Sequence, residues 1–446
     1  MDSKREQWGS RMGFIFAAVG SAIGLGNIWR FPTVVGQNGG GAFVLLYLGL
    51  VFLVGVPVLM VELSLGRWSQ RNVIGAFKIL SPGTPWVIIG VMGIMAGAII
   101  LSFYSVIAGW SVAYIYKFLQ GVFTSLPPSG IAAEFTNLVA HPAIPLLWHG
   151  LFMAMTVGIV MLGVAQGIER WSKILMPLLL GLLLILVLRS VTLPGAREGI
   201  YWYLRPDFAR LGWETVLIAL GQVFFSLSLG MGAMLTYGSY LSKKENIPGN
   251  AVYIALADMA VALLAGLVII PAVFAFGLDP ETGPALIFLT LPAVFQSMPL
   301  GNFFGVIFFA LLSIAALTSA ISLLEVVVAY FVDELNWRRS LAAPVVGLAV
   351  FLLGVPSSLS SGALPQLQLW GLPFLDLMDW ITANLLLPLS GLLMVIFVGW
   401  VWGRKRAMTA LENRGRPFRY GGAWFFLVRW ILPLALAYIL LSGLTG

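Results

Sequence analysis

Apolar stretches of roughly 20 residues or more recur along nearly the whole of this 446-residue chain, and each is long enough to cross about 30 Å of hydrocarbon as a helix. Lipid is therefore its main solvent. The balance of 60% hydrophobic and 10% charged residues agrees, since about a quarter of residues are charged in an ordinary soluble domain. Barrel strands would alternate in polarity over about ten residues, and neither Leu178 to Leu188 nor Leu385 to Val398 alternates. The predicted class is an all-α membrane protein. About eleven spans are expected, near 11–34, 41–66, 86–118, 146–165, 172–190, 213–240, 250–276, 302–332, 341–355, 373–399 and 424–444. No linker divides them, so 1–446 reads as a single membrane domain.

The formal charge of +7 does not point to nucleic acid, because the basic residues lie in short clusters between spans rather than on one soluble module. With the N-terminus cytoplasmic, about 18 of the 25 basic residues fall on the inner side, from Lys4, Arg5 and Arg11 to Arg414, Arg416 and Arg419. That predicts a multi-pass cell-membrane protein whose C-terminus lies outside. The segment from Arg189 to Arg210 is the main exception. There is no cysteine, so disulfides and thiolate metal sites are absent. His141 and His149 read as interfacial polar residues, not ligands. The first apolar segment lacks a small-residue cleavage site and reads as a retained span. Stretches 281–298 and 357–373 read as outer loops, the first as a short helical hairpin.

Two apolar segments are interrupted by glycine and small polar residues: AVGSAIGLGNIWRFP at 18–32 and GQVFFSLSLGMGAMLTYGSY at 221–240. Close packing of helices through small residues explains either one alone. Together they occupy matching places, first and sixth, in two five-span halves at 1–190 and 213–399, with 424–444 as an extra helix. Inverted-repeat carriers place their unwound helices there. Amides at an exposed half-helix N-terminus can receive a carboxylate, while freed carbonyls can replace the hydration shell of sodium.

At these residues the chain resembles the neurotransmitter:sodium symporter family, in particular its bacterial amino-acid transporters. REQW at 5–8, the GSAIGLGNIWRFP run, NGGGAF at 38–43, GQVFFSLSLGMGA and ALTSAISL at 316–323 carry the resemblance, which extends through the tenth span. It implies the leucine-transporter type of fold, two inverted five-helix repeats with unwound first and sixth helices, and sodium-coupled uptake of an amino acid. It also implies two sodium sites. The first would use the Ala22 carbonyl, Asn27, Ser226, Asp258 and the substrate carboxylate; the second, carbonyls of Gly20, Ile23 and Ala315 with hydroxyls of Thr318 and Ser319. Oxygen-only ligation suits a hard cation. A helical serine or threonine can equally bond back to the preceding turn.

Asp258 stands where many relatives have asparagine. An ionised carboxylate within a span costs about 2.5 kcal/mol or more unless compensated, which a bound cation would do, and the extra negative charge predicts chloride-independent transport. The resemblance places the substrate carboxylate on the Leu25 and Gly26 amides and the Tyr104 hydroxyl, with its side chain facing Ile100, Phe225, Ser228, Met231, Ser319 and Leu323. No acid or base lines that pocket, so a neutral, hydrophobic guest is expected. Met231 offers an adaptable wall that would admit aromatic ones.

Arg30 and Asp379 resemble an external gate over Tyr104 and Phe225; Arg5 and Asp333, supported by Trp8 and Tyr240, resemble an internal latch. Glu62 is expected to bond the unwound backbone, and Gln222 reaches either Arg30 or the site. Glu325 has no assigned role. A channel would need a continuous polar pore, and an intramembrane enzyme an acid-base constellation or an HExxH motif, neither of which is present. Proton coupling through Asp258 and a non-transporting amino-acid sensor remain as alternatives. Oligomeric state is not readable.

Overall fold

The computed structural model describes residues 5–277, 286–412 and 415–445. Among them, nine helices are long and apolar enough to cross a bilayer: Gly41–Ser69, Val87–Leu119, Ile144–Met161, Val164–Val191, Ile247–Ala275, Gly301–Asp333, Arg339–Ser360, Phe374–Trp402 and Gly421–Leu444. A further crossing is a bent pair, Arg11–Ala22 and Gly26–Gln37, meeting at 49°. The sixth crossing is also in two pieces, Trp213–Ser226 and Ala233–Ser239, each too short to span alone. The third span, Val87–Leu119, packs along the eighth, Gly301–Asp333, and the broken first and sixth lie against this scaffold.

Several sequence boundaries shift for identifiable reasons. The fifth span begins at Val164 and not near 172, because Glu169 and Arg170 are tolerated inside it: the buried Glu169 carboxylate accepts the Gly9 amide at 2.6 Å, the Ser10 hydroxyl at 2.8 Å and Lys173 Nζ at 2.6 Å. A polar residue that fastens the start of the first span looks like a helix boundary to a hydropathy window. The ninth span runs to Ser360, taking in part of an expected loop. The rest of that loop holds a small antiparallel hairpin, Gln368–Leu369 with Leu372–Pro373. Lys4, Arg414 and the start of the expected helical hairpin at 281–285 lie outside the described residues.

The reading of His149 as interfacial is corrected. It is fully buried in the fourth span, with Nε2 2.9 Å from the Ser105 hydroxyl and its ring 4.6 Å from that of Phe351. Its neighbour in composition, His141, is exposed, and its Nδ1 accepts the Ala143 and Ile144 amides that open the fourth span.

Candidate functional site

The helix Arg11–Ala22 starts at Ser10, whose hydroxyl accepts the Gly13 amide at 3.0 Å, and stops where Ile23 turns extended at φ −76° and ψ 107°. Helical bonding resumes at Gly26. The break in the sixth span is sharper. Ser228, Gly230 and Gly232 take φ of +53°, +78° and +76°, values that glycine adopts freely and serine only at a cost. Hydrogen bonds tie the two breaks to one another and to the second span. Ser228 Oγ donates to the Ser21 carbonyl at 2.8 Å, Gln222 Nε2 to the Gly26 carbonyl at 2.8 Å, and the Gly230 amide to Glu62 Oε1 at 2.7 Å. Gln222 thus reaches the first break and not Arg30.

On one flank of the first break lies a buried anionic cluster. Asp258, in the middle of the seventh span, accepts from Asn27 Nδ2 at 2.7 Å, from Ser226 Oγ at 2.8 and 3.0 Å, and from the Tyr47 hydroxyl at 3.2 Å. All four side chains are fully buried, and among the described residues every hydrogen-bond donor to the carboxylate is neutral. Asn27 Oδ1 in turn accepts the Gly24 amide at 3.1 Å, so the cluster reads directly onto the unwound backbone.

The other flank is neutral. Thr318 Oγ1 lies 3.0 Å from the Ala315 carbonyl and 3.5 Å from that of Ile23, and Ser319 Oγ lies 3.4, 3.1 and 3.2 Å from the carbonyls of Gly20, Ser21 and Ile23. Five oxygens from the first and eighth spans that were singled out from the sequence therefore converge. Such a donor set suits an alkali cation: hard, uncharged oxygens, two of them carbonyls at the break in the first span.

Between the flanks is a narrow cavity of about 20 Å³ lined by Ala22, Gly26, Ile100, Tyr104, Phe225, Ser228, Met231, Ser319 and Leu323, together with Ser21 and Gly24. Leu25 contributes its amide, which donates to the Tyr104 hydroxyl at 3.0 Å, while Ser226 turns its hydroxyl into the anionic cluster instead of the cavity. Ser21, Gly24 and Tyr47 were not singled out from the sequence. Gly24 leaves no room for a side chain: a Cβ there would sit 2.5 Å from Ser319 Oγ and 2.6 Å from the Tyr104 hydroxyl.

The two ends of the site differ. At the N-terminal face Arg5 pairs with Asp333, also donates to Ser239 Oγ at 2.6 Å, and lies 4.5 Å over the Tyr240 ring. Trp8 closes against the same elements, its indole donating to the Tyr237 carbonyl at 3.0 Å. Glu325 gains partners here that its sequence position did not reveal: the Tyr240 hydroxyl at 2.5 Å and the Arg339 guanidinium at 2.6 and 3.1 Å. At the opposite face the Arg30 guanidinium lies 4.9 Å over the Phe225 ring, and among the described residues it forms no direct ion pair with Asp379.

The model of the family described as sodium:neurotransmitter symporter matches residues 5–129 and 145–445. An uncharacterized sodium-dependent transporter of Bacillus subtilis (strain 168) is 43% identical over 99% of this chain and 98% of its own length, and one from Methanocaldococcus jannaschii is 34% identical over 97% and 89%. Among solved structures, the crystal structure of MhsT in complex with L-phenylalanine superposes with a TM-score of 0.91 at 47% identity, over 98% of this chain and all of that one.

Proposed function

Because this chain belongs to the sodium:neurotransmitter symporter family, and so is a sodium-dependent membrane transporter and not an enzyme, we propose that its cargo is a neutral, hydrophobic L-amino acid, aromatic ones included. The observation that carries the reading is the pairing of two broken spans around one enclosed, mostly apolar cavity with oxygen clusters on both flanks. MhsT, whose fold this chain shares, was crystallised with L-phenylalanine, which supports the aromatic end of that range. Met231 and Phe225 supply soft and flat walls for such a guest, and no charged side chain lines the cavity to reject it.

In this reading two sodium ions travel with the substrate. The first is held by Asn27, Ser226, Asp258 and the Ala22 carbonyl, next to the substrate carboxylate on the Leu25 and Gly26 amides. The second is held by the Thr318 and Ser319 hydroxyls and the carbonyls of Gly20, Ile23 and Ala315. Asp258 supplies the fixed negative charge that chloride would otherwise provide, so uptake is chloride-independent. Arg5 with Asp333 latches the cytoplasmic side, and Arg30 with Asp379 closes the outer one over the substrate. The N-terminus is cytoplasmic, the C-terminus outside, and residues 1–446 form one domain of two repeats, 1–190 and 213–399, with 424–444 appended.

Reconstitution into proteoliposomes tests this directly. An inward sodium gradient should drive accumulation of labelled leucine, phenylalanine or tryptophan but not lysine or glutamate, equally well in chloride or gluconate. Accumulation driven by a pH gradient without sodium would instead assign coupling to protons on Asp258, and sodium-dependent binding without flux would make the protein a sensor.

A further inference from the structure

The arginines at 189–210 break the charge asymmetry of the rest of the chain, and the structure puts two of them on one surface. The nine-residue helix Ala196–Leu204 buries Ala196, Gly199 and Tyr203 against the seventh span. It descends along that span toward the membrane: a Cβ on Gly195 would lie 3.3 Å from Ala275, one on Gly199 would lie 2.7 Å from Pro271, and the Tyr203 hydroxyl donates to the Leu263 carbonyl at 3.1 Å. Its C-terminal end is held at the mouth of the second span, where Pro206 bridges to Gly40. Arg205 is thus fixed at the level where a transmembrane helix begins.

The outward face of the helix carries Arg197, Tyr201, Leu204 and Arg205, with Tyr201 60% and Leu204 59% exposed. Together with Ile200 they line an open groove of about 460 Å³ that contains two guanidinium groups and no acid. Among the described residues neither arginine has an ion-pair partner, and Arg205 rests only on the Tyr201 ring at 5.2 Å. Of the acids nearby, Asp207 pairs with Arg210 at 3.6 Å, and the exposed Glu198 lines the adjoining groove, where it forms no ion pair with either arginine. Two unpaired guanidiniums beside an exposed tyrosine and leucine, at the membrane border, match a phosphodiester with its first acyl carbons.

We propose that this face of Ala196–Leu204 is a binding site for an anionic phospholipid, its phosphate held between Arg197 and Arg205 and its chains running down past Tyr201 and Leu204. The site stands apart from the cavity between the broken spans and does not depend on what that cavity transports.

Native mass spectrometry of the full chain in detergent, titrated with phosphatidylglycerol or phosphatidylcholine, tests it. The native protein should retain phosphatidylglycerol preferentially, and the double variant R197Q/R205Q should bind it roughly 10- to 30-fold more weakly, as expected for two basic residues near a lipid surface. The charge-conserving R197K/R205K should recover most of that loss, and K243Q/K244Q on the opposite face should leave this tight binding intact. Undiminished binding by R197Q/R205Q, or a lysine pair as weak as the glutamine pair, would overturn the proposal. So would displacement of the lipid by millimolar inorganic phosphate, which would mark a free-anion site.

Discussion

The two oxygen clusters that flank the first break are built from opposite materials. One centres on a buried carboxylate with neutral donors aimed at it; the other has only hydroxyls and carbonyls and carries no net charge. A cation entering the first neutralises a charge whose burial is expensive, whereas one entering the second gains only ion-dipole attraction and must surrender water for it. In the proposed two-ion reading, the contrast teaches that the anionic cluster should fill first and hold its ion tightly, and the neutral one should be the easier to empty.

Asp258→Asn gives the sharpest way to break this contrast, because it makes both clusters neutral. Sodium-driven uptake should fall roughly 100-fold, in line with a loss of about 3 kcal/mol, and should recover in part when chloride is supplied. Uptake that is unchanged, or that chloride does not help, would remove the anionic cluster from ion coupling. Gly24→Ala is next in size. Its new Cβ would sit 2.5 Å from Ser319 Oγ and 2.6 Å from the Tyr104 hydroxyl, disturbing the neutral cluster and the cavity at once. Substrate affinity by scintillation proximity should drop more than about tenfold.

Thr318→Ala trims the neutral cluster alone and should raise the sodium concentration needed for half-maximal uptake by roughly tenfold, the value of one charge-assisted contact. It should do so without creating any chloride requirement; if one appears, the two clusters are not separable. The smallest effect concerns a carboxylate outside the spans, as a foil to Asp258. Burial alone would raise the Glu334 carboxyl, but Lys78 Nζ at 2.5 Å and Asn72 Nδ2 at 3.2 Å outweigh it and hold it below its ordinary value. The stabilisation is present above the ordinary carboxylate pKa and is lost as pH falls through the lower folded value. Glu334→Gln should flatten the acid limb of a thermal-stability profile by at most a few tenths of a kcal/mol, since Lys78 is half exposed.

The broken helices and the seventh-span aspartate were legible because each violates an expectation for lipid: glycine and serine where a span gains nothing from them, and a charge where none is cheap. Tyr47 was not, because a tyrosine in an apolar run is ordinary until its hydroxyl is seen to need a buried partner. Glu325 is the reverse case. Its charge stood out, but Arg339 lies 14 residues on in the next span, and only the turn between the eighth and ninth spans brings them to 2.6 Å. Ser21 and Gly24 lay inside the recognised run, yet facing the cavity depends on how the chain rotates once helical bonding stops. Periodicity carries no information about that rotation.

The stitch between the breaks has a mechanical consequence. Ser228 sits in a left-handed conformation that a serine tolerates poorly, and its hydroxyl is spent on the Ser21 carbonyl, while Gln222 repeats the link from the sixth span to Gly26. Fastened at both sides of the gap, the first and sixth crossings share two hydrogen bonds that any separate movement of either would have to break.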